Sequence, residues 1–460
     1  MTSLLNLSSP ALRHFVAFIA TSLAITIHPA PTFADDWPQW LGPQRDAVWR
    51  ESGILAKFPE GGPKSRWRTP IGAGYAGPAV AQGRVFVCDR VTGDPLKRND
   101  NFNRAHLQGT ERVLCLEEAT GAILWKHEYD CPYDLAYPSG PRTTPVVSGG
   151  KVYTLGAEGN LFCFEAGSGN ILWSHELKKD FQTKTPLWGF SANPLIDGQK
   201  LICLVGGAGS VAVAFDKDTG KELWRSLSAR EPGYAPPMIF EAGGKRQLII
   251  WHPESLNSLD PETGKTYWSE PFTARSGLTV PTPRLAGDKL FITSFYNGPM
   301  LLKLAKDKPA AEVVWRGTSQ NERNTDKLHS IMATPFIEDG HIYGVCSYGQ
   351  LRCLKLDTGE RVWETLKATG ATGENNGQND RWCNAFLVKH GDRFFIPNER
   401  GDLIIAKLSP KGYEEVSRAH LVEATNPSPP RGVVWSHPAF ANKSVYFRND
   451  KEIACYSLAK

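Results

Sequence analysis

The sequence predicts an all-β protein, an eight-bladed β-propeller of four-stranded antiparallel blades, with an N-terminal strand closing the ring. Three observations predict it: a short residue frame that returns at a near-constant interval, brief alternating apolar runs between its copies, and eight starts of a first strand. The frame is clearest over residues 214–224, where Ala214, Asp216, Thr219, Gly220 and Trp224 mark its positions. It returns over 115–125, 163–173, 258–268 and 353–363, always with a small residue ten positions before the tryptophan and a glycine four before it. A looser copy ends at Trp315 and a degenerate one spans 412–416; successive tryptophans from Trp125 to Trp363 stand 48, 51, 44, 47 and 48 residues apart. A period of this size marks a supersecondary unit that cannot bury its own apolar face and must stack on its neighbours.

Within each period the runs are short and rich in β-branched and aromatic residues. The second unit has them at 145–147, 151–155, 160–164 and 170–173, separated by glycine-rich turns. That pattern reads as four strands joined by hairpins. The Thr-Gly pair supplies the last turn, because glycine accepts the positive φ it needs. First strands are expected near Pro78, Pro145, Pro194, Pro237, Pro283, Pro335, Ala385 and Pro438. The eighth unit stops at Lys460 before any fourth strand, while Trp67 heads an orphan stretch upstream of the first start. The N-terminal segment is therefore expected to complete the last blade, which removes two exposed sheet edges. A seven-bladed ring with decorations is the competing count, because the copy at 412–416 is weak.

The cysteines follow the repeat. Cys115, Cys163 and Cys353 take the slot that Ala214 and Ser258 fill elsewhere, and Cys455 is the equivalent position of the last unit. Such a slot is a tight buried strand position, in which free cysteine acts as a small hydrophobe. Cys88, Cys131, Cys203, Cys346 and Cys383 have no C-x-x-C spacing, so neither a zinc site nor a redox pair is indicated. Cys88 and Cys115 share a blade, and their pairing stays open.

Three segments are expected: a signal peptide over 1–34, an extension over 35–66 and the propeller over 67–460. Arg13 and His14 precede an apolar stretch from Phe15 to Ile27, and Thr32, Phe33 and Ala34 offer a cleavage site. That stretch falls short of the roughly 20 residues that span a bilayer, so export without a transmembrane anchor, to the periplasm or beyond the cell, is expected. A net charge of +4 with scattered Lys and Arg gives no basic stripe for nucleic acid. No phosphate loop, metalloprotease helix or nucleophile elbow is present.

The copies quoted above resemble the pyrroloquinoline-quinone (PQQ) repeat, whose core reads Ala-x-Asp-x-x-Thr-Gly-x-x-x-Trp, and the resemblance runs through nearly all of the chain after Trp67. It implies an eight-bladed propeller in which the tryptophans dock each blade on the next. One branch is similar to quinoprotein alcohol dehydrogenases, which hold PQQ and calcium in the funnel. The other resembles the outer-membrane assembly factor BamB, a non-catalytic binding platform. This chain departs from both: it has no adjacent cysteine pair, and Asp35 rather than a lipidated cysteine follows the expected cleavage site.

In a propeller the residues at and just before each first strand face the axis. Around the ring these are Tyr75, Arg142, Trp188 with Asn193, Tyr234, Thr279, His329, Trp382 with Asn384, and Trp435 with His437. Of these, Arg142, Asn193, His329, Trp382, Asn384, Trp435 and His437 are the candidate cofactor-binding residues. A planar anionic quinone wants an aromatic face and guanidinium or imidazole donors. Calcium wants oxygen ligands, and the polar loop 373–380 is the place for them, although it lacks the acidic spacing of a calcium loop and reads as turn chemistry. No catalytic residue and no metal ligand is assigned. Glu117, Glu165, Asp216 and Asp260 before the turns read as scaffold. The insert between Asp89 and Glu111 is expected to project from one face. Two functions follow: an exported, non-catalytic, monomeric module that binds a protein or envelope ligand on one face, or a PQQ- and calcium-dependent alcohol or sugar dehydrogenase.

Overall fold

The computed structural model describes residues 36–93 and 102–460. The expected signal peptide and the centre of the blade-one insert, with Arg98, Asn99 and Asp100, lie outside the described residues.

Eight four-stranded antiparallel sheets are present, so the eight-bladed count holds over the seven-bladed one. Their inner strands are Ala79–Ala81, Val146–Ser148, Leu195–Asp197, Met238–Ala242, Arg284–Ala286, Phe336–Glu338, Val388–His390 and Ala439–Ala441. Each begins within a residue of its expected start except in blade seven, where Ala385 makes only an isolated bridge to Asn398 before the strand sets in. The weak copy at 412–416 lies in a full outer strand, Gly412–His420. Blade eight takes its outer strand from the other end of the chain. Ser65–Pro70 pairs antiparallel with Glu452–Ser457, and Trp67 stands opposite Cys455.

The geometry explains the frame. The indole N–H of every frame tryptophan but Trp268 donates to a turn carbonyl of the next blade, as in Trp67 to Glu118 at 2.8 Å, Trp125 to Ala166 and Trp173 to Lys217 at 3.0 Å, and Trp224 to Pro261 at 3.2 Å. The ring then lies against the glycine of that turn. A Cβ at Gly220 would come within 2.7 Å of the Trp173 ring, and one at Gly169 within 2.6 Å of Trp125. Glycine is needed twice over, for its positive φ and for the close approach. Trp363 donates to Ser409 O at 2.8 Å without a glycine against its ring, and Trp268 departs further. It faces the looser blade-five turn, where Ala311 stands in the glycine position, and it donates instead to Gln247 of its own blade at 2.8 Å. Ser258, opposite Trp268, donates to the same Gln247 oxygen at 2.7 Å, which accounts for serine in that slot. Cys115, Cys163, Cys353 and Cys455 each stand opposite their tryptophan with no exposure. All nine cysteines are free and buried; Phe86 faces Cys115 and Val113 faces Cys88, so those two do not pair.

The acidic frame positions act within the turns. Asp216 Oδ1 accepts the Thr219 N–H and hydroxyl, both at 2.8 Å, and Asp260 Oδ1 accepts the Glu262 N–H at 2.7 Å.

The extension is not a loose leader. Trp37 exchanges backbone hydrogen bonds with Val80 of blade one, Trp49 N donates to Lys389 O of blade seven at 2.8 Å, and Leu55 N donates to Leu458 O of blade eight at 2.8 Å. Between these anchors Arg45 is buried and donates to Pro194 O at 2.9 Å and Asn193 O at 3.3 Å, while Arg284 of blade five donates to Asp46 O at 2.8 Å. Burial pulls the Arg45 guanidinium down to about 9. Residues 37–55 thus touch blades one, three, five, seven and eight and lie across the axis.

Candidate functional site

A cavity of about 210 Å³ lies on the propeller axis. Its wall is formed by the segments that carry the chain from the outer strand of one blade to the inner strand of the next. Because each such segment ends at the axis, one aromatic per blade is enough to build a ring. Tyr75, Tyr137, Trp188, Tyr234, Trp382 and Trp435 do so, and Trp40 of the extension joins them. Tyr75 stacks on Trp435 at 6.4 Å, Tyr137 meets Trp435 at 5.7 Å and Trp382 edge-on at 6.4 Å, and Trp188 meets Tyr234 edge-on at 5.7 Å. Trp40 is fixed by its indole N–H on Thr282 Oγ1 at 3.0 Å.

Two wall residues hold unfavourable backbone. Tyr137 has φ 56° and Trp382 φ 64°, in the left-handed region that bulky side chains avoid. Trp382 N donates to Ser347 O at 3.0 Å, and the Arg381 guanidinium lies 4.4 Å from the ring centroid.

The polar groups are few. Arg142 reaches the cavity with its guanidinium 5.2 Å from the Tyr75 ring centroid, but its N–H groups donate to the carbonyls of Ala136, Tyr137 and Gly140. Asn193 Oδ1 accepts the Thr144 N–H at 2.7 Å. His437 is 5 % exposed among Trp40 at 5.1 Å, Phe386 at 5.0 Å and Trp37 at 6.4 Å. Its Nδ1 lies 2.7 Å from Pro438 O, while Nε2 has no partner. Burial lowers its pKa to about 4, so the ring is neutral.

Of the seven candidate residues, Arg142, Asn193, Trp382, Trp435 and His437 line the cavity. Two stand elsewhere. His329 is fully buried between Phe295 O and Asp326 Oδ1, each at 3.1 Å, and burial lowers its pKa. Asn384 is 1 % exposed behind the wall, its N–H on Glu399 Oε2 at 3.1 Å. Thr279 is likewise buried, with its carbonyl accepting the Tyr234 N–H. Sequence reading missed Trp40, Phe102, Tyr137 and Tyr296, all at the cavity. The aromatic pair Trp37 and Trp40 in the extension was the available signal for the first.

The donor set does not fit PQQ with calcium. Among the described residues no Asp or Glu lines the cavity, and its one guanidinium is committed to backbone carbonyls. No group of three or more His, Cys, Asp or Glu suited to a metal occurs among the described residues. The loop that could have carried oxygen ligands forms a short 3₁₀ helix, Glu374–Asp380, and the Asp380 carboxylate is used on the N–H groups of Thr372 and Gly373, the latter at 2.7 Å. Glu399 is also occupied: it receives Arg431 Nε at 2.6 Å and the Trp435 indole N–H at 2.8 Å.

No curated protein matches the chain. Among solved structures it is similar to BamB from Moraxella catarrhalis, at 16% identity and TM-score 0.51 over 80% of this chain and 100% of that one. It is similar to quinohemoprotein alcohol dehydrogenase from Comamonas testosteroni, at 12% identity and TM-score 0.60 over 92% and 80%. The computationally designed Ika8 protein is similar at 10% identity and TM-score 0.53 over 86% and 99%. At these identities the likeness is one of fold. The family model described as outer membrane protein assembly factor BamB matches residues 109–365, more than half of the sequence and all of the strongest frame copies. With its blades docked tryptophan to glycine around a closed ring, the chain belongs to that family of PQQ-like propellers.

Proposed function

We propose that the protein is an exported binding module without catalytic activity of its own, taking a protein or envelope ligand on the face where the aromatic cavity opens. The observation that carries this reading is the composition of the cavity wall among the described residues: mostly aromatic and aliphatic side chains, one neutral imidazole, one committed guanidinium and no carboxylate. Oxidation of an alcohol needs a general base for its proton, and a PQQ site also needs calcium ligands. Among the described lining residues no carboxylate is present for either role, and the one imidazole, His437, is buried. The family description, an outer-membrane assembly factor, supports an envelope setting and a partner-binding role. The apolar stretch before Pro29 supports export, and no helix among the described residues is long and apolar enough to cross a membrane.

The test is dye-linked oxidation by the purified protein supplied with PQQ and calcium, across a panel of primary alcohols and sugars. The expected result is a rate equal to the protein-free control. Turnover that depends on both cofactors overturns the proposal in favour of a quinoprotein dehydrogenase.

A further inference from the structure

We infer that the axial cavity is a binding site for an uncharged saccharide ring. This deepens the binding-module reading and rests on it. Four features of the cavity narrow the ligand class.

Charge is the first. A cationic ligand would be drawn to the aromatic faces but would share the cavity with the Arg142 guanidinium, with no Asp or Glu among the described lining residues to offset the repulsion. An anion would find one guanidinium whose N–H groups already serve Ala136, Tyr137 and Gly140. A neutral molecule meets neither difficulty.

Hydrogen bonding is the second. Nδ1 of His437 faces a carbonyl oxygen, which can only accept, so Nδ1 carries the ring proton and Nε2 presents a bare lone pair. That lone pair is buried and without a partner. It calls for a hydroxyl donor, which a purely apolar ligand does not have. Asn193 complements it: its Oδ1 is taken by Thr144, leaving the amide N–H groups for a ligand oxygen. Donor and acceptor on an aromatic wall match a ring that carries hydroxyls at its edge and C–H bonds on its faces. The faces of aromatic rings are electron-rich and attract such C–H groups.

Size is the third. About 210 Å³ lies below the roughly 300 Å³ at which sites for drug-sized ligands begin. One pyranose ring suits it better than three fused rings bearing carboxylates. The fourth feature is the strained backbone at Tyr137 and Trp382, two wall aromatics that meet edge-on. Strain of this kind is kept where the position of a side chain matters for binding.

Titration calorimetry on the full chain tests the inference, with methyl glucoside, methyl galactoside and N-acetylglucosamine as probes and choline, benzoate and toluene as cationic, anionic and apolar controls. At least one of the saccharides is expected to bind saturably, with the three controls weaker. His437→Phe keeps an aromatic ring and removes the acceptor, and is expected to lower saccharide affinity about tenfold, a 1.4 kcal/mol change. Trp188→Ala, in the cavity wall, is expected to weaken it similarly even if His437→Phe does not fold. Failure of the folded protein to bind any of the three saccharides, or equal affinity in the folded variants, overturns the inference. Tighter binding of choline, benzoate or toluene removes the saccharide while the binding module stands, whereas PQQ-dependent turnover removes the module itself.

Discussion

His437 shows how one buried residue sets a pH response. Its pKa is about 4 in the fold, because burial disfavours the charged form, against an ordinary 6.5. The unfolded chain therefore binds the extra proton more readily, and stability is full above about pH 6.5 and falls as pH drops toward 4. A gap of that size corresponds to roughly 3 kcal/mol when complete. His127, His252, His329 and His390, also lowered by burial, act in the same sense, while Glu111 and Asp450, raised by burial, oppose it. Urea midpoints at pH 7 and pH 4.5 are expected to differ, and His437→Phe is expected to narrow the difference. Gly220 carries a second residue-scale prediction. Gly220→Ala places a Cβ at φ +75° and 2.7 Å from the Trp173 ring, so a loss of about 1–2 kcal/mol from backbone strain alone is expected in urea unfolding, with more if the indole is displaced. The sequence exposed this residue fully, since the Thr-Gly-to-Trp spacing is local. It exposed the cavity wall less well. Tyr137 and Phe102 were overlooked because only residues next to the first strands were read as axial, while Tyr137 sits earlier in its segment and Phe102 arrives on an insert.

At the scale of the element, the closing strand and the extension divide the work at the N-terminus. Ser65–Pro70 was legible because Trp67 had no blade of its own, and the last blade had no tryptophan. Trp67→Ala removes a buried indole and its bond to Glu118 O, and a loss of about 3–5 kcal/mol is expected in urea unfolding. The path of residues 37–55 across the axis was not legible, because nothing in local composition reveals contacts at long range: Arg45 meets carbonyls 148 and 149 residues away. Arg45→Ala leaves those buried oxygens short of a donor, with a cost of about 1–3 kcal/mol expected. Arg45→Ala is also expected to increase acrylamide quenching of tryptophan fluorescence, as Trp40 loses its seat at the cavity. Unchanged quenching in a folded Arg45→Ala protein would count against Arg45 as the residue that holds Trp40 at the cavity.

For the whole molecule, eight repeats give eight chances to place a side chain on the axis, and this chain spends most of them on aromatic rings. That distribution was readable in outline, and five of the seven residues proposed from sequence line one cavity. The absence of carboxylates among the described lining residues was not readable, since Glu399 and Asp380 lie close in sequence to wall residues and only the fold shows them occupied by Arg431, Trp435 and turn N–H groups. The same scaffold that supports quinone chemistry elsewhere therefore offers, in this chain, an aromatic recess with no carboxylate among its described lining residues. Retention of PQQ by the protein after gel filtration in the presence of calcium, read by quinone absorbance, tests this most directly. The account predicts no retained quinone, and one PQQ per folded chain would contradict it.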